Sequence, residues 1–126
     1  MEKKRILLVD DDPDFVEAVK AVVTNGGYDV DVAYDGKEAL EKAAKQKPDL
    51  VILDVMMPVM NGHEACNALR ADPATSQIPV ILLTAVASRV STSTYTHRDM
   101  LESKADDYIA KPVAPAELLA RIKDWV

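Results

Sequence analysis

Apolar and polar positions along this chain follow two different periods. Ile6 to Val9, Leu50 to Leu53 and Val80 to Leu83 are uninterrupted apolar runs bounded by polar residues or proline, the pattern of strands buried on both faces of a parallel sheet. Asp29-Val30-Asp31-Val32-Ala33 alternates strictly instead, which predicts a strand with one wet face at a sheet edge. A short fifth strand is expected at Tyr108 to Ala110. Between these runs the apolar residues recur at helical spacing. Phe15, Val16, Val19, Val22 and Val23 form one stripe, ended by Asn25-Gly26-Gly27. A second helix opens with Asp35 and Glu38, whose spacing allows a capping arrangement. It carries Leu40, Ala43 and Ala44 on its apolar side and ends at Lys47-Pro48. A third follows Asn61-Gly62. The last has Leu118, Leu119, Ile122, Trp125 and Val126 on one face and Pro115 in its first turn. Ser88 to Thr96, rich in poor helix formers, reads either as a long loop or as a distorted helix running toward Met100, Leu101 and Lys104.

Strands alternating with helices imply right-handed crossovers and a three-layer, doubly wound α/β sandwich. Ligand chemistry then belongs in the crevice beyond the carboxyl ends of the strands. The residues expected just past each strand are all polar: Asp10, Asp11 and Asp12, then Asp54, Thr84 and Lys111.

Composition narrows the picture. A chain of 126 residues, 48% apolar and 29% charged, predicts one domain over residues 1–126 with a core that needs no disulfide or structural metal. Cys66 is the single cysteine, which fits a reducing compartment and predicts a cytoplasmic protein. The net charge of -6 would repel phosphate backbones and anionic lipid, so direct nucleic-acid and membrane binding are not expected. The basic start is followed by too short an apolar run for a signal peptide, and no later stretch approaches the roughly 18 apolar residues of a membrane span.

Three carboxylates at the ends of neighbouring strands repel one another, and a hard dication such as Mg²⁺ is the usual way to keep them ionised together. With a metal and the Lys111 ammonium beside it, Asp54 is placed to accept a phosphoryl group as an aspartyl phosphate, and Thr84 to donate a hydrogen bond to that group. Blander roles stand beside these. Asp12, before Pro13, either caps the next helix or joins the metal site. Thr84 alone is an ordinary strand end and Lys111 alone a solvated charge. His63 and His97 read as surface residues, and Cys66 as packing on the third helix.

The motifs ILLVDDDP, LDVMMPVMNG, LLTA and ADDYIAKP together resemble, over essentially the whole length, the receiver domain of two-component response regulators. That resemblance implies a flavodoxin-like fold with a five-stranded parallel sheet in the order 2-1-3-4-5. It makes Asp54 the phosphoacceptor and Asp11 a direct Mg²⁺ ligand. Asp10 becomes a ligand through water and Met56 a ligand through its backbone carbonyl, with Mn²⁺ as a substitute metal. Thr84 and Lys111 become phosphate contacts, Tyr108 the switch aromatic that turns inward with Thr84, and Lys111-Pro112 a cis peptide. The implied partners are a sensor histidine kinase or histidine phosphotransfer protein as donor, a downstream effector, and a second copy of the chain as a homodimer. Such a protein is a self-phosphorylating and slowly self-dephosphorylating switch rather than a turnover enzyme.

Two departures stand out. The stretch from Thr84 to Lys111 is longer than usual, with Lys104 where a glycine is common, and Ala114 replaces the usual hydroxyl cap of the last helix, so an unusual partner or dimer mode is expected there. Met56 and Val86, two residues past Asp54 and Thr84, are apolar, which predicts slower hydrolysis of the acyl phosphate than in a Met56→Asn variant. Two rival readings remain. An Asp-nucleophile phosphatase of the haloacid-dehalogenase-like group is opposed by Met56, which stands where that group has its second acid. A constitutive interaction module that accepts no phosphate is opposed by the intact acids, Thr84 and Lys111.

Overall fold

Each apolar run becomes a strand that buries side chains on both of its faces, and the helices cover those faces. The computed structural model describes residues 3–55, 60–84 and 105–126. Within them the chain runs β1 (Arg5–Val9), α1 (Pro13–Asn25), β2 (Asp29–Ala33), α2 (Gly36–Gln46), β3 (Leu50–Asp54), α3 (Gly62–Ala71), β4 (Val80–Thr84), β5 (Asp107–Ala110) and α4 (Pro115–Trp125). The strands form one five-stranded parallel sheet in the order β2-β1-β3-β4-β5. This is the expected doubly wound architecture. β2, the alternating strand, lies at an edge, where its burial rises only toward Ala33.

Strand alternation divides the core in two. Leu7, Val9, Val51, Leu53, Val80 and Leu82 meet α2 and α3 on one face of the sheet. Ile6, Leu8, Leu50, Ile52, Ile81 and Leu83 meet Val16, Val19 and Val23 of α1 and Leu118 and Ile122 of α4 on the other. Cys66 is buried in the first of these layers, as its place on α3 suggested.

The helix starts show the expected chemistry with two differences. Asp35 accepts the Glu38 N–H at 2.7 Å, but the Glu38 carboxylate reaches back to the Tyr34 N–H rather than to that of Asp35. The complete reciprocal capping box instead lies at Asn61 and Glu64, where each side chain accepts the other's backbone N–H. Ala114 starts α4 with no side-chain cap, as its methyl dictates. Two surface assignments also change. His63 is half-buried rather than on the surface. Trp125, expected on the apolar face of α4, is 38% exposed, with its indole N–H donating to Asp107 at 3.1 Å. The expectations for Met56, Val86, His97 and the segment from Ser88 to Lys104 lie outside the described residues.

Candidate phosphoacceptor and metal site

The order of the strands places β1 beside β3 at the point where the winding of the sheet reverses, and Val9 pairs with Leu53 in register. The next residue on each strand path is therefore an aspartate facing an aspartate. Asp54 and Thr84 prove to be the last residues of β3 and β4 rather than the first beyond them, because Val55 still donates its N–H to the Leu83 carbonyl. Asp10, Asp11 and Lys111 lie just past β1 and β5.

Carboxylate oxygens of Asp10, Asp11 and Asp54 all lie within 4.8 Å of one another. Asp10 and Asp54 are buried, at 1% and 4% exposure, whereas Asp11 opens to solvent. The Lys111 ammonium stands 3.0 Å from Asp54 Oδ1 and 3.2 Å from Asp10 Oδ2. The other oxygen of Asp10 accepts the Asp12 N–H at 3.0 Å. Burial pushes the Asp10 carboxyl above its ordinary value, and the Asp12 N–H and the Lys111 charge only partly oppose it. Burial would lower Lys111, but hydrogen bonding and attraction from Asp54, joined by Asp10, outweigh it and hold the ammonium above its ordinary value. Among the described residues the pocket thus carries more negative charge than the Lys111 ammonium offsets.

Three hard oxygen donors gathered this closely fit Mg²⁺, which takes one or two carboxylates directly and keeps several waters. Asp12 does not join them. It caps α1, accepting from Asp14 and Phe15 N–H, which settles its two expected roles in favour of the cap.

Thr84 and Tyr108 share one face of the sheet. Continuing the alternation, Thr84 follows Leu82 onto the face covered by α2 and α3, and Tyr108, in register with Leu82, packs half-buried against the same layer. Thr84 is partly exposed at the sheet edge, and its carbonyl accepts the Lys111 N–H at 2.8 Å, which ties the hydroxyl-bearing strand end to the lysine. The Lys111-Pro112 peptide is cis.

Two contributors escaped the sequence reading. Gly62, read there as the residue before the third helix and the end of the LDVMMPVMNG motif but given no contact, donates its N–H to the Val55 carbonyl, and a Cβ on it would lie 2.5 Å from the Asp54 carbonyl oxygen. Only hydrogen fits there, so α3 can press its first turn against the end of β3. Phe15, read as one member of the α1 stripe, has its ring under the Lys111 ammonium, 4.4 Å from centroid to Nζ. A glycine at the first helical position was visible in the sequence, but the pairing of Phe15 with a residue 96 positions away was not.

Comparison with known proteins agrees with this geometry. The family model described as "Response regulator receiver domain" matches residues 6–123. DNA-binding response regulator MtrA of Mycolicibacterium smegmatis is 44% identical over 121 residues, covering 96% of this chain and 50% of that protein. The chain therefore spans about half the length of the curated relatives it matches. Chemotaxis protein CheY4 of Vibrio cholerae superposes with a TM-score of 0.86 at 31% identity, covering 99% of this chain and 100% of that one. The receiver domain of sensor histidine kinase PA1611 from Pseudomonas aeruginosa PAO1, solved with a magnesium ion coordinated in its active site cleft, gives 0.86 at 31% identity, covering 98% of each chain. A relative named for DNA binding removes the support for excluding nucleic acid on net charge, because that charge describes only this part of such a protein. Among the described residues no helix is long and apolar enough to cross a membrane. With its sheet order, its acid cluster and a family match over nearly its entire length, the chain belongs to the receiver domains of two-component response regulators.

Proposed function

We propose that this chain, as one receiver domain over residues 1–126, accepts a phosphoryl group on Asp54 in a Mg²⁺-dependent step and so switches the binding of a partner. The observation that carries this reading is the cluster itself: three carboxylates within 4.8 Å, two of them buried, with one ammonium between Asp54 and Asp10. Asp11 and Asp54 would hold the metal directly and Asp10 through water, with the Met56 carbonyl, outside the described residues, completing the set that the family implies. When bound, Mg²⁺ or Mn²⁺ offsets charge on the phosphoryl oxygens.

The remaining work falls to the chain. Burial strips water from Asp54, and the Gly62 contact holds the strand end that carries it. A carboxylate oxygen of Asp54 attacks phosphorus in line. The new O–P bond forms as the P–N bond to a donor histidine breaks, and the electron pair of that bond stays on the imidazole nitrogen. Lys111 neutralises the oxygens that gain charge, and the Thr84 hydroxyl donates to one of them. The phosphoryl group brings about -1.5 to -2 charges, which favours the conformation in which Thr84 and Lys111 close around it and Tyr108 follows Thr84. The donor is a histidine kinase or histidine phosphotransfer protein in the cytoplasm, and the reader an effector or a second copy of the chain. DNA-binding output, as named for MtrA, is one destination for the signal. Phosphorylation with acetyl phosphate and Mg²⁺, borohydride reduction and peptide mass spectrometry test the assignment. Homoserine at position 54 is expected, and reduction at another aspartate would refute it.

A further inference from the structure

The Lys111 ammonium is held from two sides, and only one of them is charged. Asp54 and Asp10 take it at 3.0 and 3.2 Å, and the face of Phe15 lies 4.4 Å away. Phe15 is itself fixed. It stands in the first turn of α1, its N–H directed to the Asp12 cap, and it packs against the layer between α1, α4 and the sheet. We propose that Phe15 is a positioning residue for phosphoryl transfer, its ring holding Lys111 at the mouth of the site while Asp54 changes from a carboxylate to an acyl phosphate.

The reason lies in what each neighbour offers as the reaction proceeds. An ammonium has three donors, and two are directed at the carboxylates. Once Asp54 carries the phosphoryl group, the lysine must turn from the carboxylate oxygen to the phosphoryl oxygens, and a flexible four-carbon stem with a side-chain exposure of 28% has more than one way to make that turn. Attraction to a ring face is not spent when a proton or a phosphoryl group arrives on Asp54, because it depends on the quadrupole of the ring. Phe15 thereby confines the cation to the side from which the phosphoryl oxygens approach. The inference rests on the phosphoacceptor reading above and adds to it a residue that touches neither metal nor phosphorus.

The test measures the rate of Asp54 phosphorylation by acetyl phosphate in Mg²⁺ for the unaltered protein, Phe15→Leu and Phe15→Trp. Each is also measured with Lys111→Gln, and urea unfolding establishes that every variant is folded. Phe15→Leu keeps an apolar side chain but loses the ring, and is expected to react about fivefold more slowly, the equivalent of about 1 kcal/mol at 1.4 kcal/mol per decade. Phe15→Trp restores the rate, and Phe15→Leu has no further effect once Lys111 is Gln. A lysine ε-methylene resonance shifted upfield by the ring, and assigned to residue 111, is expected in the unaltered protein. An unchanged rate in Phe15→Leu, an equal loss in Phe15→Trp, a loss that persists without the lysine, or an unshifted resonance would each overturn the proposal. An unaltered protein that takes up no phosphoryl group would overturn the functional reading, and this inference with it.

Discussion

The two ends of the sheet treat charge in opposite ways. At the amino end, Arg70 of α3 meets Asp106 through Nη2 and donates from Nη1 to the Ser76 and Ile78 carbonyls, while Asp106 also accepts the Val80 N–H. Positive and negative charge are matched there, and the result ties α3 to the starts of β4 and β5. At the carboxyl end, among the described residues, three carboxylates share the Lys111 ammonium, and one of them, Asp10, resists ionisation because it is buried. A structural network satisfies its groups in the resting state. The carboxyl-end cluster carries an imbalance that a dication and a phosphoryl group can use, so it is the end to associate with chemistry.

Substitutions at the two ends should therefore differ in kind. The largest effect is expected from Gly62→Val, whose side chain would displace the end of β3 and cost on the order of 3 kcal/mol in urea unfolding. A smaller loss would show that α3 can retreat without moving Asp54. Next, Mg²⁺ should stabilise the unaltered protein by about 2.7 kcal/mol at 100 times its Kd. Asp11→Asn should remove most of that gain, while Asp10→Asn without metal should raise stability by about 1 kcal/mol by removing a buried charge. Arg70→Ala, by contrast, should cost about 1–2 kcal/mol with or without Mg²⁺ and leave the phosphorylation rate intact. A changed rate would mean that the two ends are coupled.

The smallest effect concerns pH at the last helix. Burial would raise the Asp107 carboxyl, but Trp125, Arg121 and the Tyr108 N–H bond it and together hold it below the usual carboxylate value. That contribution is present above the unfolded value of about 3.9 and is lost as pH falls through the lower folded value. Asp107→Asn should therefore make acid unfolding less steep in this range, and an unchanged acid limb would show the contact to be without weight.

Much of this was legible in the chain because local period and strand ends coincide. The run Asp29 to Ala33 is a strand with the bounds its alternation implied, and the acids and lysine fell at one end of the sheet because every crossover carries the chain back to the other end, so that all strands run the same way. The cap at Asp12 could not be separated from a metal ligand by residue type alone, since one carboxylate serves either role, and only the placement of its oxygen near Asp14 and Phe15 N–H decides. The capping box at Asn61 was written in plain residues and missed. The rest depended on contacts between distant residues: the Gly62 approach to Asp54, the Phe15 ring under Lys111 and the Trp125 bond that draws an apolar side chain outward.

Intact-mass measurement after incubation with acetyl phosphate tests the central claim most directly, run in Mg²⁺, after chelation and with Asp54→Asn. One phosphoryl adduct is expected in Mg²⁺, with none after chelation and none in the variant. An adduct that survives either change would contradict the claim that this cluster gathers a dication for phosphoryl transfer to Asp54.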